Sequence, residues 1–222
     1  MANIYKLHPD TPQARRIEEI REALCNGAIM LYPTDTVYAI GCDLNVKSAV
    51  DRLRQIKKLA NNKPLTFLCP SLSNISQYAF VTDSAYRIIK RLIPGPYTFL
   101  LPATKLVPRL VMAPKRKTTG IRVPDNAICQ SLLNALGNPI ISTSATTPFT
   151  PADTRVSQAE LFDQFDQLVD IMIDSERPLG HEVSTIIDLT GDTASIVRKG
   201  LQWETAMART NVTLAEPVTG LS

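Results

Sequence analysis

The sequence predicts an α/β fold: a mixed, twisted sheet with helices packed against it. Three observations lead there. Short apolar runs of strand length recur along the chain, and they alternate with segments whose apolar residues return at helical spacing. A chain of 222 residues, 44% of them hydrophobic, can bury one large core, so a single domain is expected. No internal repeat, low-complexity segment or linker divides it.

Taken in order, Thr11-Pro12 followed by Ile17, Ile20 and Leu24 predicts a capped amphipathic helix that stops at Asn26-Gly27. Residues 28–32 form an apolar strand cut by Pro33, which cannot donate to a sheet ladder. Val46, Val50, Leu53 and Ile56 recur at helical spacing, so 46–58 is a second helix, with Lys57 and Lys58 at the end where the dipole favours cations. A buried strand is predicted at 65–69 and a helix at 83–92, closed by Pro94-Gly95-Pro96. Strands at 97–101 and 120–123 flank the basic stretch 105–117. A helix over 125–136 is capped by Asp125 and ended by Gly137. The strand Pro139-Ile140-Ile141 runs into the hydroxyl-rich Ser142-Thr143-Ser144-Ala145-Thr146-Thr147. An acidic helix near 157–169 precedes strands at 171–174, 185–189 and 195–198. The domain is expected to span 1–211, with 212–222 a flexible tail.

Charge is unevenly spread. From Arg52 through Arg122 there are 14 Lys plus Arg against the single acid Asp83, a net of +13, whereas 151–222 carry 5 basic and 12 acidic residues, a net of −7. Either the basic middle forms one face for a polyanion such as nucleotide phosphates or RNA, or its cations are solvated and scattered. The four cysteines form no Cys-x-x-Cys pair and lie in or beside apolar runs, which fits buried free thiols in a reducing compartment. His8 and His181 lack ligand spacing, so no structural metal is expected. No apolar stretch approaches the roughly 20 residues of a membrane helix, and the N-terminus has no apolar signal core. A cytoplasmic protein is expected.

Several polar groups fall at strand ends: Thr34, Asp35, Thr36 and Tyr38; Lys57 and Lys63; Arg122; Ser142 and Ser144; Ser184; and Arg198. Hydroxyls with Lys and Arg, and almost no histidine, suit phosphate binding and charge stabilisation better than proton shuttling. With no Walker loop or Gly-x-Gly-x-x-Gly, side chains and strand-end amides would hold the phosphates. Each group also has a plainer reading. Thr34 and Asp35 can bond their own turn, Tyr38 can be a core aromatic, Arg122 can pair with Asp125, Ser142 and Ser144 can be turn hydroxyls, and Arg198 can pair with a C-terminal acid.

In these residues the chain resembles the YrdC/YciO family, whose best-known members are threonylcarbamoyl-AMP synthases. The resemblance runs from about residue 11 to residue 200. Its landmarks are Tyr32-Pro33-Thr34-Asp35-Thr36-Val37-Tyr38-Ala39-Ile40-Gly41, Lys63-Pro64-Leu65, Pro94-Gly95-Pro96-Tyr97-Thr98-Phe99, Thr119-Gly120-Ile121-Arg122-Val123-Pro124, Pro139-Ile140-Ile141-Ser142-Thr143-Ser144-Ala145, and Ser184-Thr185-Ile186-Ile187-Asp188 with Ile196-Val197-Arg198-Lys199-Gly200. It implies a single-domain twisted mixed sheet with a large, positively charged concave groove. It also implies a nucleotidyltransferase reaction in tRNA processing: ATP, L-threonine and bicarbonate give threonylcarbamoyl-AMP and pyrophosphate. In this picture Thr34, Thr36, Tyr38, Arg122 and Ser184 bind the amino-acid substrate. Lys57, Lys63, Ser142, Ser144 and Arg198 bind ATP, Lys57 and Arg122 act in catalysis, and Mg2+ accompanies the triphosphate.

The sequence departs from the synthase pattern. Where synthases carry Lys-x-Arg, this chain has Lys57-Lys58-Leu59; where they carry Ser-x-Asn, it has Ser144-Ala145-Thr146; and Ala39 stands for a usual glycine. Losing one guanidinium contact costs on the order of 1.5–3 kcal/mol, and a lysine cannot supply the same fork. Leu65-Thr66-Phe67-Leu68-Cys69 and the 115–124 stretch are most similar to the YciO branch, which shares the fold without the full tetrad. Three functions therefore stand: a YciO-type synthase-like enzyme of weak or altered activity, a non-catalytic protein that binds double-stranded RNA or tRNA through a basic groove, and, ranked last because Thr34 and Thr36 are retained, a different acyl- or carbamoyl-adenylate reaction on an altered substrate. Nothing in the sequence points to a membrane.

Overall fold

A computed structural model describes residues 1–58, 65–113, 115–145, 156–178 and 180–215. The chain opens with β1 (Asn3–Lys6), a mostly exposed strand with no apolar alternation to announce it. α1 (Ala14–Cys25) buries Ile17, Ile20 and Leu24 and ends on Asn26 and Gly27, whose φ of 93° suits glycine. It starts after Gln13 rather than at Thr11-Pro12, and no side chain caps it. β2 (Met30–Tyr32) and β3 (Ala39–Asp43) pair antiparallel around the 33–38 loop. β3 is not predicted, because Gly41 and Asp43 interrupt its apolar run although all five residues are buried.

α2 (Lys47–Ile56), β4 (Thr66–Leu68), α3 (Leu72–Tyr78) and α4 (Asp83–Leu92) follow. β5 (Tyr97–Pro102) and β6 (Thr118–Arg122) are antiparallel neighbours joined by the basic stretch. α5 (Ala127–Leu136) is capped by Asn126, which accepts from the Cys129 amide at 3.0 Å, so Asn126 takes the place expected of Asp125. Gly137 ends it at φ 72° as expected. Then come β7 (Ile140–Ser144), α6 (Gln158–Phe165) with a Ser157/Glu160 capping box, β8 (Ile171–Asp174), β9 (Thr185–Asp188), β10 (Ser195–Arg198), α7 (Trp203–Arg209) and β11 (Thr213–Leu214).

The expected tail does not begin at Val212. That side chain is buried, the Thr213 amide donates to Ala194 O at 3.2 Å, and the Ala215 amide donates to Ile196 O at 3.0 Å. Burial of one valine and two ladder bonds hold the chain to the edge of β10 as far as Ala215. Cys42, Cys69 and Cys129 are buried free thiols, but Cys25 is exposed at the end of α1.

Among the described residues the strands make one sheet in the order β1-β8-β2-β3-β7-β4-β6-β5-β9-β10-β11, with parallel and antiparallel neighbours mixed. Side chains alternate across it. Leu31, Ile40, Phe67, Phe99, Ile121, Ile141 and Ile187 face one side, packed against Val50 and Leu53 of α2, Ile75 of α3, Ile89 of α4 and Phe165 of α6. Met30, Tyr32, Ala39, Leu68 and Ile140 face the other, where Ile17, Ile20 and Leu24 of α1 meet Ile128 and Leu132 of α5. No other described helix joins this second cluster. The helical cover on that face therefore stops partway across the sheet. Beyond it, β6, β5 and β9 present Gly120, Thr98, Leu100 and Ile186 to an open cavity.

Candidate active site

The cavity has a volume of about 230 Å3 and is floored by the sheet face that α1 and α5 leave uncovered. Thr34 and Thr36 reach it from the β2–β3 loop, Arg122 from the end of β6, and Ser142 and Ser144 from β7. Ser184, just before β9, and Arg198, at the end of β10, close the opposite wall. Register explains the convergence. Ser142 lies opposite Gly41 on β3 and Thr66 on β4, and Thr66 lies opposite Gly120 two residues before Arg122. All are on the same pleat face as Ile140, one or two steps past the helical cover.

Arg122 is 7% exposed. Its Nη2 donates to Asp35 Oδ1 at 2.5 Å, a salt bridge whose side chains are 8% and 10% exposed. Its Nη1 donates to Thr36 Oγ1 at 3.0 Å. Thr34 Oγ1 donates to Val37 O at 2.7 Å, so its own hydrogen is spent, and in the 3.0 Å contact between the two hydroxyls Thr36 must be the donor. Thr34 Oγ1 also accepts the Thr36 amide at 3.1 Å and has no lone pair left. The result is a polarised run from Arg122 through Thr36 and Thr34 to the Val37 carbonyl. Thr36 Oγ1 keeps one acceptor position, and the guanidinium keeps unused donors. Arg122 Nε and Asp35 Oδ2 are buried with no partner among the described residues. The ion pair is therefore left with one unsatisfied donor and one unsatisfied acceptor.

Across the cavity Arg198 is fixed by Ser184. Nε and Nη2 donate to Ser184 O at 3.1 and 2.7 Å, and Nη2 reaches Ser184 Oγ at 3.0 Å, which in turn contacts Thr98 Oγ1 at 2.9 Å. Among the described residues no acid pairs with Arg198. Burial, and then the neighbouring Arg122 cation, make its protonated form less favourable than usual. Arg122 and Arg198 are the charged side chains among the described lining residues, and Asp35 pairs with the first of them. Ser142 Oγ is held at 2.6 Å by the Tyr32 hydroxyl, whose own ionisation is pushed up by complete burial.

Of the residues singled out in the sequence, Thr34, Thr36, Arg122, Ser142, Ser144, Ser184 and Arg198 line this one cavity. Tyr38 does not. It sits on the other face of the sheet in the main core, edge-on to Phe162 at 6.0 Å, and its hydroxyl donates to Ile173 O at 3.1 Å. The period of two puts Ala39 toward the cavity and Tyr38 away from it. Burial raises the Tyr38 hydroxyl to about 12. Lys57 follows α2, half-buried, and does not line the cavity; burial lowers its ammonium to about 8. Lys63, Leu59 and Thr146 lie outside the described residues. Arg122 takes Asp35, not Asp125, as its partner.

Sequence reasoning missed the floor: Thr66, Thr98, Leu100, Gly120 and Ile186. Counting back in twos from Arg122 would have found Gly120. It also missed Gly180. A Cβ on Gly180 would stand 1.6 Å from the Thr36 carbonyl oxygen, so the backbone before β9 rests directly on the threonine loop, and only a residue without a side chain fits there.

Comparison with known proteins gives a consistent relationship. Residues 22–200 match the Sua5/YciO/YrdC family model, described as telomere recombination. An uncharacterized protein of Haemophilus influenzae is 44% identical over 200 residues, covering 90% of this chain and 96% of its own. The Escherichia coli K12 protein YciO, also uncharacterized, is 42% identical over 204 residues (90% and 97%). The crystal structure of E. coli YciO superposes with a TM-score of 0.84, covering 90% of this chain and 97% of that one. A threonylcarbamoyl-AMP synthase of Vibrio vulnificus is 29% identical over 187 residues (83% and 98%). The fold is shared with P. abyssi Sua5 complexed with L-threonine, at a TM-score of 0.81 and 24% identity, over 94% of this chain and 62% of the longer one. With residues 22–200 matched by the family model and relatives 42–44% identical over 90% of its length, the chain belongs to the Sua5/YciO/YrdC family.

Proposed function

We propose that this protein is a YciO-type L-threonylcarbamoyladenylate synthase-like enzyme. It joins L-threonine, bicarbonate and ATP into threonylcarbamoyl-AMP with release of pyrophosphate. The observation that carries the reading is the meeting of Arg122, the Thr34/Thr36 pair, Ser142, Ser144 and Ser184-fixed Arg198 in one cation-rich cavity. The relatives add support: a threonylcarbamoyl-AMP synthase is 29% identical to this chain, and the P. abyssi fold relative was crystallised with L-threonine.

The chemistry asks anions to approach one another. The threonine nitrogen takes up the bicarbonate carbon with loss of water, giving a carbamate. A carbamate oxygen then attacks the α-phosphorus as the bond to pyrophosphate breaks. Arg122 receives the threonine carboxylate on its unused N–H donors, and the open lone pair of Thr36 accepts from the amine. Ser142, Ser144 and Arg198 donate to the nucleotide phosphates and offset the charge that builds in transfer. On this reading the triphosphate extends past the described cavity lining toward Lys57 at the end of α2. Mg2+ enters as part of the ATP complex; among the described residues no group of three carboxylate, histidine or cysteine side chains gathers to hold it. Leu59 and Thr146, in place of Arg and Asn, lower the rate relative to a full tetrad.

The test is pyrophosphate release from ATP, L-threonine and bicarbonate, with omission of each substrate and with Arg122→Ala. Release dependent on all three and lost in Arg122→Ala is expected. Release no faster than in the variant overturns the reading.

One observation favours RNA binding as a second role: Lys105, Arg109, Lys115, Arg116 and Lys117 are all exposed and none is in an ion pair among the described residues. Such a surface would bind double-stranded RNA or tRNA with a log–log salt slope of about −0.7 to −0.9 per phosphate neutralised. Binding insensitive to salt excludes it.

A further inference from the structure

A second depression, of about 470 Å3, lies between α4 and the turn joining β9 to β10. Ser184 and Arg198 belong to the other end of that hairpin, with ~13 Å of strand between the two sites. The volume falls within the roughly 300–1,000 Å3 of small-molecule sites. Its floor is apolar, from Ile88, Leu189 and Ala194, and its rim carries Arg87, Arg91 and the hydroxyls of Ser84 and Thr193.

The two arginines are the unusual part. They stand at i and i+4 on α4, a spacing at which like charges repel. Arg91, with Lys90, lies in the last turn and complements the helix dipole, and its Nη1 reaches Arg209 O at 3.3 Å. Arg87 has neither benefit. It is exposed, sits a turn earlier, and has no hydrogen bond or ion pair among the described residues. Asp192 lines the same depression and forms a salt bridge with neither arginine. Two guanidiniums that line one hollow, with no carboxylate partner among the described residues, are the arrangement in which a phosphate bridges both forks. The apolar floor beneath them suits a flat, weakly polar group attached to that phosphate.

We propose that the α4 depression is a second binding site, separate from the cavity of Arg122, and that it takes a nucleotide phosphate. Arg87 and Arg91 grip the phosphate while the base or sugar lies over Ile88 and Leu189. The same chemistry is offered by a free mononucleotide and by a nucleotide within an RNA strand. The site would let the protein hold a nucleotide while the Arg122 cavity is occupied.

The experiment is backbone amide NMR of the full chain, titrated separately with inorganic phosphate, AMP and a 12-nucleotide oligoadenylate RNA. Saturable shifts at Ser84 and at 191–194, without matching shifts at Gly120, are expected with phosphate and, more tightly, with AMP. Arg87→Ala should weaken AMP at these amides roughly ten- to a hundredfold, the loss of one charge-assisted contact. Its unchanged thermal unfolding would show that the exposed substitution left the fold intact. If the RNA shifts the same amides and its salt slope falls by about 0.7–0.9 in Arg87→Ala, the strand is the natural source. If AMP binds and the RNA does not, the source is a free nucleotide. No saturable shift at 191–194 with any probe, or AMP binding equally tight in Arg87→Ala, overturns the proposal. Because the readout is resolved by residue, the result stands apart from turnover at the Arg122 cavity.

Discussion

Removing Asp35 should reveal how much of the fold is committed to holding Arg122. In Asp35→Ala the guanidinium keeps Thr36 Oγ1 at 3.0 Å but loses its only carboxylate among the described residues; the side chain is 8% exposed in the intact pair and lies near the Arg198 cation. Breaking one partner out of a buried pair costs about 3–5 kcal/mol. Two effects compete here. Arg198 adds repulsion once Asp35 is gone, but the cavity lets water reach the guanidinium, and solvation outweighs repulsion between charges that water can screen. The low end, about 3 kcal/mol, is therefore expected. For a chain of this size that is a fall in Tm of roughly 6–12 °C, read by circular dichroism at pH 7. The double variant Asp35→Ala with Arg122→Met should regain at least half of the loss, because a buried apolar pair carries no uncompensated charge. It should remain without threonine-dependent pyrophosphate release. A Tm change below 2 °C in the single variant, or a double variant less stable than the single, would refute the reasoning.

Two further outcomes follow from the same geometry. Burial lowers the Lys57 ammonium to about 8, so between that pH and the ordinary lysine range the unfolded chain binds more protons and stability rises with pH; on the proposed reading, affinity for ATP falls over the same range as the charge is lost. The KM for ATP should climb above pH 8 in the wild type and stay flat in Lys57→Arg; parallel profiles would exclude Lys57 from triphosphate binding. Gly180→Ala places a Cβ against the Thr36 carbonyl and must displace one backbone from the other. It should cost about 1–3 kcal/mol in urea unfolding and raise the KM for threonine more than that for ATP; an unchanged KM for threonine would show that the contact does not position Thr36.

Much of the framework was legible because it is written in period. Ile17, Ile20 and Leu24 gave α1, α4 runs over the predicted 83–92, and β8 and β10 coincide with their apolar runs. What escaped was short or set by distant partners. α3 and α7 have seven residues each and bury one apiece, β1 is largely exposed, and β11 has two residues held by β10. The cavity's polar residues stood out by composition at strand ends, but composition carries no direction. Tyr38 is polar at its tip and near Thr36, yet the pleat turns it to the opposite face. Asp35 as the partner of Arg122 could not be read locally, since 87 residues separate them and Asp125 was closer in sequence.

The cavity is stitched from remote pieces of chain: Arg122 to Thr36 spans 86 positions, Thr98 to Ser184 another 86, and Tyr32 to Ser142 spans 110. No fragment or half-formed intermediate owns enough of it to capture a small molecule, and such long closures are slow to form. Whatever occupies the hollow thus acts as a clasp on the entire polypeptide, adding about 2.7 kcal/mol of stability at a hundred times its dissociation constant. A cell short of that molecule would hold less of this protein in its native form.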